Sequence, residues 1–278
     1  MALVSPGQIV LVPSPGYPVY RAGTVFAGGQ PYIVPLTEKT GWLPDFDAIP
    51  RDVAQKAVLM FLNYPNNPTG AVADLAFFER AVAWARQHEV FLAQDAAYNE
   101  MNLTEERAPS ILQVAGAREV AIEFHSASKT FNMTGWRVGF AVGNADAIAA
   151  LAAVKANYDS GVFGAVQEAA CEAYANIDRP ELHEMRALYR QRAELLCAAL
   201  RGLGFEAAPP KATFYIWARV PKGTDSMTVC NRLLEEVDVV GVPGVGFGPT
   251  GEGYVRFALS VPTERITAAV ERMRKLKW

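Results

Sequence analysis

Several things are scarce in this chain. It has three cysteines, Cys171, Cys197 and Cys230, an odd number with no CxxC pairing, which argues against both a disulfide framework and a thiolate metal site. Core-filling thiols in a reducing compartment are expected. The three histidines, His88, His125 and His183, are scattered without ligand spacing, so no metal centre is expected. No signal peptide or membrane span is expected at the start either: "MALVSPGQIVLVPSPG" has no basic leader, and Pro6, Gly7 and Pro13 break its apolar run. There is no block of one charge. Lys and Arg number 26 against 29 Asp and Glu, net −3, and the basic residues are spread from Arg21 to Lys277, which leaves no footprint for nucleic acid or anionic lipid. The expectation is a cytoplasmic protein with a small-molecule partner, no nucleic acid and no membrane.

What is present is enough apolar sequence, 51% of 278 residues, to bury a large core in one or two domains. From residue 8 to about 142, short apolar runs alternate with helical patterns, the mark of an open, mostly parallel sheet covered by helices. The strand candidates are 8–12, 31–35, 57–63, 90–94, 120–124 and 137–142. Between the third and fourth, Asp74 can cap a helix whose apolar positions Phe77, Phe78, Ala81, Val82 and Ala85 recur at helical spacing. After Asn144 the texture becomes Ala-rich helix, and a long helix starts at Pro180. The strands "TFYIWARV" and "YVRFALS" and a closing helix follow. This predicts an α/β protein with a large domain over residues 1–178 and a small C-terminal α+β domain over residues 179–278.

In such a sheet, ligands bind beyond the carboxyl ends of the strands. Three strand ends carry polar groups. "NYPNNPTG" turns sharply and leaves the amide of Asn67 at the strand end, although a bare NPTG is usually only a loop. "DAAY" puts Asp95 where a buried carboxylate needs a cationic or donor partner, with Tyr98 close behind; a helix cap and a core tyrosine are the plainer alternative. "HSASK" offers Ser126, Ser128 and Lys129, and Arg137 returns a fork suited to phosphate oxygens. A loop lysine is most often a solvated charge. One at the end of an apolar strand with no acidic neighbour can instead hold an aldehyde as a Schiff base.

Taken in order, "NYPNNPTG", "DAAY" and "SASKTFNMTGWRVG" resemble the class I/II aminotransferases, fold-type I enzymes dependent on pyridoxal 5'-phosphate. The wording is most like the branch that includes LL-diaminopimelate and succinyldiaminopimelate aminotransferases. The resemblance implies a PLP-dependent transferase fold. It implies Lys129 as the catalytic lysine that holds the cofactor and shuttles a proton, and Asp95 on the pyridine nitrogen. Tyr98 and Asn67 would meet the phenolate oxygen, Ser126 and Arg137 the phosphate, and Tyr17 of "PSPGYPVY" would stack on the ring. Arg256 of "YVRFALS" would clamp the substrate carboxylate beside Asn67. Amino acid and 2-keto acid substrates and a homodimer are implied as well. Tyr17 stands only sixteen residues after Met1, so the resemblance implies a chain without the family's usual preceding segment, with its phosphate loop and cross-subunit tyrosine: either a natural short form with a rebuilt phosphate site or a fragment of a longer reading frame. Ser126 and Arg137 are therefore expected to carry most of the phosphate charge. A carbon–sulfur β-lyase of the same fold, or a truncated family member without turnover, are the alternatives. "GVPGVGFGPTGEG" reads as a turn into the Arg256 strand, and Tyr215 and Trp217 as packing aromatics.

Overall fold

The chain begins with β1 (Ile9–Ser14), α1 (Val19–Phe26), β2 (Gln30–Pro35), α2 (Arg51–Ala54) and β3 (Ala57–Asn63). It continues through α3 (Leu75–His88), β4 (Phe91–Asp95), α4 (Ala117–Val120), β5 (Ala121–Ser126), α5 (Ala127–Thr130) and β6 (Gly139–Gly143). Then come α6 (Ala145–Lys155), α7 (Gly164–Ala175), α8 (Pro180–Gly202), β7 (Tyr215–Arg219), α9 (Ser226–Val237), β8 (Val242–Pro243), β9 (Tyr254–Ala258) and α10 (Thr263–Met273). The computed structural model from which these elements are taken describes residues 1–278.

The first six strands form one sheet in the order β2-β1-β3-β4-β5-β6. The pairs from β2 through β5 are parallel, whereas β6 runs antiparallel to β5, with Ser126 opposite Gly139. All six strand candidates read from the sequence lie in this sheet. Its direction reverses at β6 because the twelve residues from Ala127 to Val138 hold no α-helix longer than the four residues of α5, too little to carry the chain back along the sheet. A parallel crossover needs about a dozen residues or more, usually including a helix.

Helix α3 shows how sequence sets a layer. Asp74 accepts the Phe77 amide at 2.7 Å and caps the helix. The face that carries Phe77, Phe78, Ala81, Val82 and Ala85 is buried, in a cluster shared with Leu11, Met60, Leu62 and Leu92 of the sheet. A second cluster on the opposite side gathers Val10, Val12, Tyr20, Leu59, Ala93 and Ile122. The sheet is thus apolar on both faces, as parallel strands require.

The remaining core is built mainly from α8, α9, α10 and the three-stranded sheet β7-β9-β8, and includes Tyr98, Met101 and Leu103 from the segment after β4. That segment holds the two units together. The Leu103 amide donates to the Lys211 carbonyl, and the Thr213 amide to Met101. Near the other end of the junction, the Gly16 amide donates to the Phe247 carbonyl at 2.9 Å and the Ser14 and Thr250 hydroxyls meet at 2.7 Å. The carboxyl ends of β1, β3, β4 and β5 therefore open toward the face of β7 and β9 that carries Tyr215 and Arg256.

Candidate active site

Asp95 ends β4. Its Oδ1 accepts the Ala97 amide at 3.1 Å and its Oδ2 accepts the Tyr20 hydroxyl at 2.8 Å. Burial pushes the Asp95 carboxyl up, while Tyr20, the Ala97 amide, His125 and Lys129 pull it back down. Tyr20 is itself buried, 4% exposed, and stacked on Phe61 at 4.9 Å between ring centres. It was not apparent as a site residue in the sequence because α1 was not foreseen. The signal was the pair of tyrosines one helical turn apart, Tyr17 and Tyr20, whose rings meet edge to face at 5.9 Å.

Lys129 lies in the short helix α5, which follows β5 and is capped by Ser126, whose Oγ accepts the Ser128 amide at 3.3 Å. The Lys129 amine has no ion pair and no hydrogen bond. Its Nζ lies 5.8 Å from the centroid of the Phe214 ring. Burial holds its pKa below the ordinary lysine value, Arg137 and Arg256 lower it further, and Asp95 opposes them. Arg137 is exposed and adopts a left-handed backbone, φ 55°, and its Nη1 donates to the Thr134 carbonyl at 3.0 Å.

Arg256 comes from β9, in register with Trp217 of β7. Its guanidinium lies between Tyr215 and Phe247, 4.0 and 4.7 Å from the two ring centres, and Nη1 donates to Asn67 Oδ1 at 2.8 Å. Nε is buried without a partner, and burial lowers the pKa of the group. Asn67 is tied to the large sheet in turn: its amide donates to Asn63 Oδ1 at 2.9 Å, and Asn63 Nδ2 donates to the Asp95 carbonyl at 2.8 Å. The Tyr98 hydroxyl donates to that of Tyr215 at 3.3 Å, and burial raises its pKa strongly.

The expected residues therefore gather at one junction. Tyr17, Asn67, Asp95, Tyr98, Ser126, Lys129 and Arg137 come from the large-sheet unit, and Arg256 from the small one. Tyr215 departs from the expectation of plain packing, because its ring lies against Arg256. Trp217 packs as expected, stacked on Tyr254 at 5.1 Å. Phe247 and Asn63 are further neighbours that sequence reasoning missed, the first because "GVGFGP" carries no periodic signal.

Three cations, Lys129, Arg137 and Arg256, have no carboxylate within ion-pair distance, and the one acid among them, Asp95, is bonded to Tyr20. Lys129 and Arg256 are partly buried and Arg137 is exposed beside them, and partly desolvated cations without a counter-charge favour anionic ligands. An amine whose pKa is lowered by burial, a carboxylate at a strand end and a free guanidinium edge fit a phosphorylated pyridine aldehyde together with a substrate carboxylate.

Residues 1–273 match the family described as aminotransferase class I and II. The LL-diaminopimelate aminotransferase of Aquifex aeolicus is 52% identical over 277 residues, covering 100% of this chain and 71% of the relative. That of Syntrophobacter fumaroxidans is 51% identical over 278 residues, with 100% and 71% covered. Among solved structures, apo BacF from Bacillus subtilis superposes with a TM-score of 0.94 at 41% identity, over 99% of this chain and 73% of that one. A probable N-succinyldiaminopimelate aminotransferase from Thermus thermophilus gives 0.91 at 39% identity, over 99% and 73%. The chain belongs to the class I and II aminotransferases, fold-type I enzymes that use pyridoxal phosphate to move an amino group between an amino acid and a 2-oxo acid.

Proposed function

We propose that Lys129 is the catalytic residue of this aminotransferase and that Tyr17, Asn67, Asp95, Tyr98, Ser126 and Arg137 hold its pyridoxal phosphate, with Arg256 and Asn67 binding the substrate carboxylate. The observation that carries this reading is the Lys129 amine, free of any protein partner while Arg137, Arg256 and Asp95 all act on its charge. When bound, the cofactor supplies an aldehyde that carries the amino group and a ring that accepts the electron pair left at the substrate's alpha carbon. Lys129 Nζ takes the proton from that carbon and gives it back, which its lowered pKa favours. Tyr20 and the Ala97 amide favour the ionised form of Asp95 against the burial that raises its pKa, and the carboxylate would hold a proton on the ring nitrogen. Asn67 Oδ1 fixes one edge of Arg256, leaving Nε and Nη2 to face a carboxylate.

The donor we propose is an amino acid of the diaminopimelate type, since relatives at about half identity carry that name. We further propose a cytoplasmic homodimer whose chain divides into a cofactor unit over 1–178 and a small unit over 179–278. Absorbance of the cofactor-loaded protein, titrated with a panel of amino acids, tests the activity: LL-diaminopimelate is expected to convert the cofactor band at the lowest concentration. No conversion by any amino acid, or none changed by Lys129→Ala, would sink the assignment. Sedimentation velocity tests the dimer.

A further inference from the structure

Six residues other than glycine adopt a left-handed backbone: Trp42, Glu89, Asn132, Arg137, Thr213 and Asp238. Glu89 and Asp238 end the helices α3 and α9, where that conformation is an ordinary cap. Thr213, with φ 73°, is the only one of the six that is buried and the only one branched at Cβ. A branched side chain crowds the backbone there, so the conformation is strained and persists only where its surroundings impose it. Two hydrogen bonds impose it. The Thr213 amide donates to the Met101 carbonyl at 3.0 Å, across the junction between the units, and Thr213 Oγ1 accepts the Tyr215 amide at 3.2 Å. The next two side chains reach two cations of the site. The Phe214 ring lies 5.8 Å from Lys129 Nζ, and the Tyr215 ring 4.0 Å from the guanidinium carbon of Arg256. Phe214 is held in turn by Tyr98, edge to face at 5.5 Å, and by Tyr189, stacked at 5.6 Å. In a regular strand, consecutive side chains point to opposite faces. Phe214 lies outside β7, in the bend that includes Thr213, and both rings therefore border one junction.

We infer that Thr213 is a positioning residue: its left-handed backbone, fixed by the hydroxyl bond to the Tyr215 amide, aims Phe214 at Lys129 and Tyr215 at Arg256. It thereby sets the amine and the guanidinium at the spacing that one substrate must span. The inference rests on the roles proposed for Lys129 and Arg256. Glycine would take the same turn without strain, but it has no side chain to hold the Tyr215 amide and would leave other conformations open. Threonine gives up some stability for a single geometry.

Steady-state kinetics of the cofactor-loaded protein with LL-diaminopimelate as amino donor, beside thermal unfolding, test the assignment. Thr213→Gly is expected to raise KM by about tenfold with a smaller change in kcat, the split that follows from a displaced binding group. Thr213→Val keeps the branched shape, removes the acceptor for the Tyr215 amide and is expected to raise KM likewise. Thr213→Ser keeps the hydroxyl and is expected to keep the parental KM. A shift in Tm with KM unchanged in both Thr213→Gly and Thr213→Val overturns the assignment, as does a KM in Thr213→Ser as high as that in Thr213→Gly. Arg256→Gln separates the two readings. If it raises KM and neither Thr213→Gly nor Thr213→Val does, the inference about Thr213 alone fails; if it leaves KM unchanged, the clamp fails and the role of Thr213 with it.

Discussion

At the scale of residues, the chemistry depends on how burial and neighbours set two groups. A lysine with a lowered pKa is neutral at lower pH than an ordinary one, and only the neutral amine attacks an aldehyde. Reductive trapping with pyridoxal phosphate near neutral pH is therefore expected to label Lys129 ahead of surface lysines, read by peptide mass mapping. Labelling elsewhere first contradicts the assignment. Asp95 acts in the opposite sense. Burial raises its pKa and Tyr20 lowers it, so Tyr20→Phe raises it further and the ionised form is lost at higher pH as the solution is acidified. One hydrogen bond to a charged group is worth about 1.5–3 kcal/mol, or about one to two pH units. The acid limb of the kcat/KM profile is expected to move upward by that order. In an Asp95→Ala background the same substitution is expected to add nothing; an undiminished effect there assigns Tyr20 another role. Arg137→Ala, which removes the exposed guanidinium beside Lys129, is expected to lower cofactor retention most in phosphate buffer, measured by dialysis and absorbance.

Elements position these groups, and two of them can be tested without touching the site. Asp74→Ala removes the cap of α3 and is expected to cost about 1 kcal/mol in thermal or urea unfolding with little change in KM. Gly244 is different. A Cβ there would lie 1.8 Å from the Gly251 carbonyl oxygen and 2.7 Å from that of Tyr254, backbone atoms that cannot rotate away. Gly244→Ala must move the turn Gly244–Phe247 and with it the ring that covers Arg256. KM for the amino donor is expected to rise by about tenfold with a smaller change in kcat, as suits lost binding rather than lost chemistry. An unchanged KM means that Phe247 does not organise Arg256.

In the whole molecule, the site exists only where two units meet, with Lys129 and Asp95 on one and Arg256 on the other. Links at Asn67–Arg256, Tyr98–Tyr215 and Ser14–Thr250 cross the junction, and Glu38 accepts the Tyr254 hydroxyl at 2.6 Å while pairing with Arg219. The Glu38–Arg219 pair is half exposed, and such pairs contribute about 0–1 kcal/mol. The packed segment from Tyr98 to Leu103 carries more of the docking. Cofactor binding to the native state alone is expected to stabilise the chain by about 2.7 kcal/mol at a hundredfold excess over Kd. A rise in Tm on adding pyridoxal phosphate, smaller in Lys129→Ala, is the expected scan; no rise in either protein contradicts the site.

The sequence by itself determined the strands of the large sheet, the capped helix α3, and the order of Asn67, Asp95, Tyr98, Ser126, Lys129, Arg137 and Arg256 along the chain. Those are local properties: apolar runs bounded by turn residues define strands, and polar groups just beyond them mark the ligand-binding edge. The tertiary structure alone decided that β6 runs antiparallel, that α1 aims Tyr20 at Asp95, and that Tyr215 and Phe247 enclose Arg256. It also decided that Thr213 takes a left-handed backbone beside them. These contacts join residues as much as 236 positions apart, as Ser14 and Thr250 are. They arise from the way two apolar cores dock, which no short-range periodicity records.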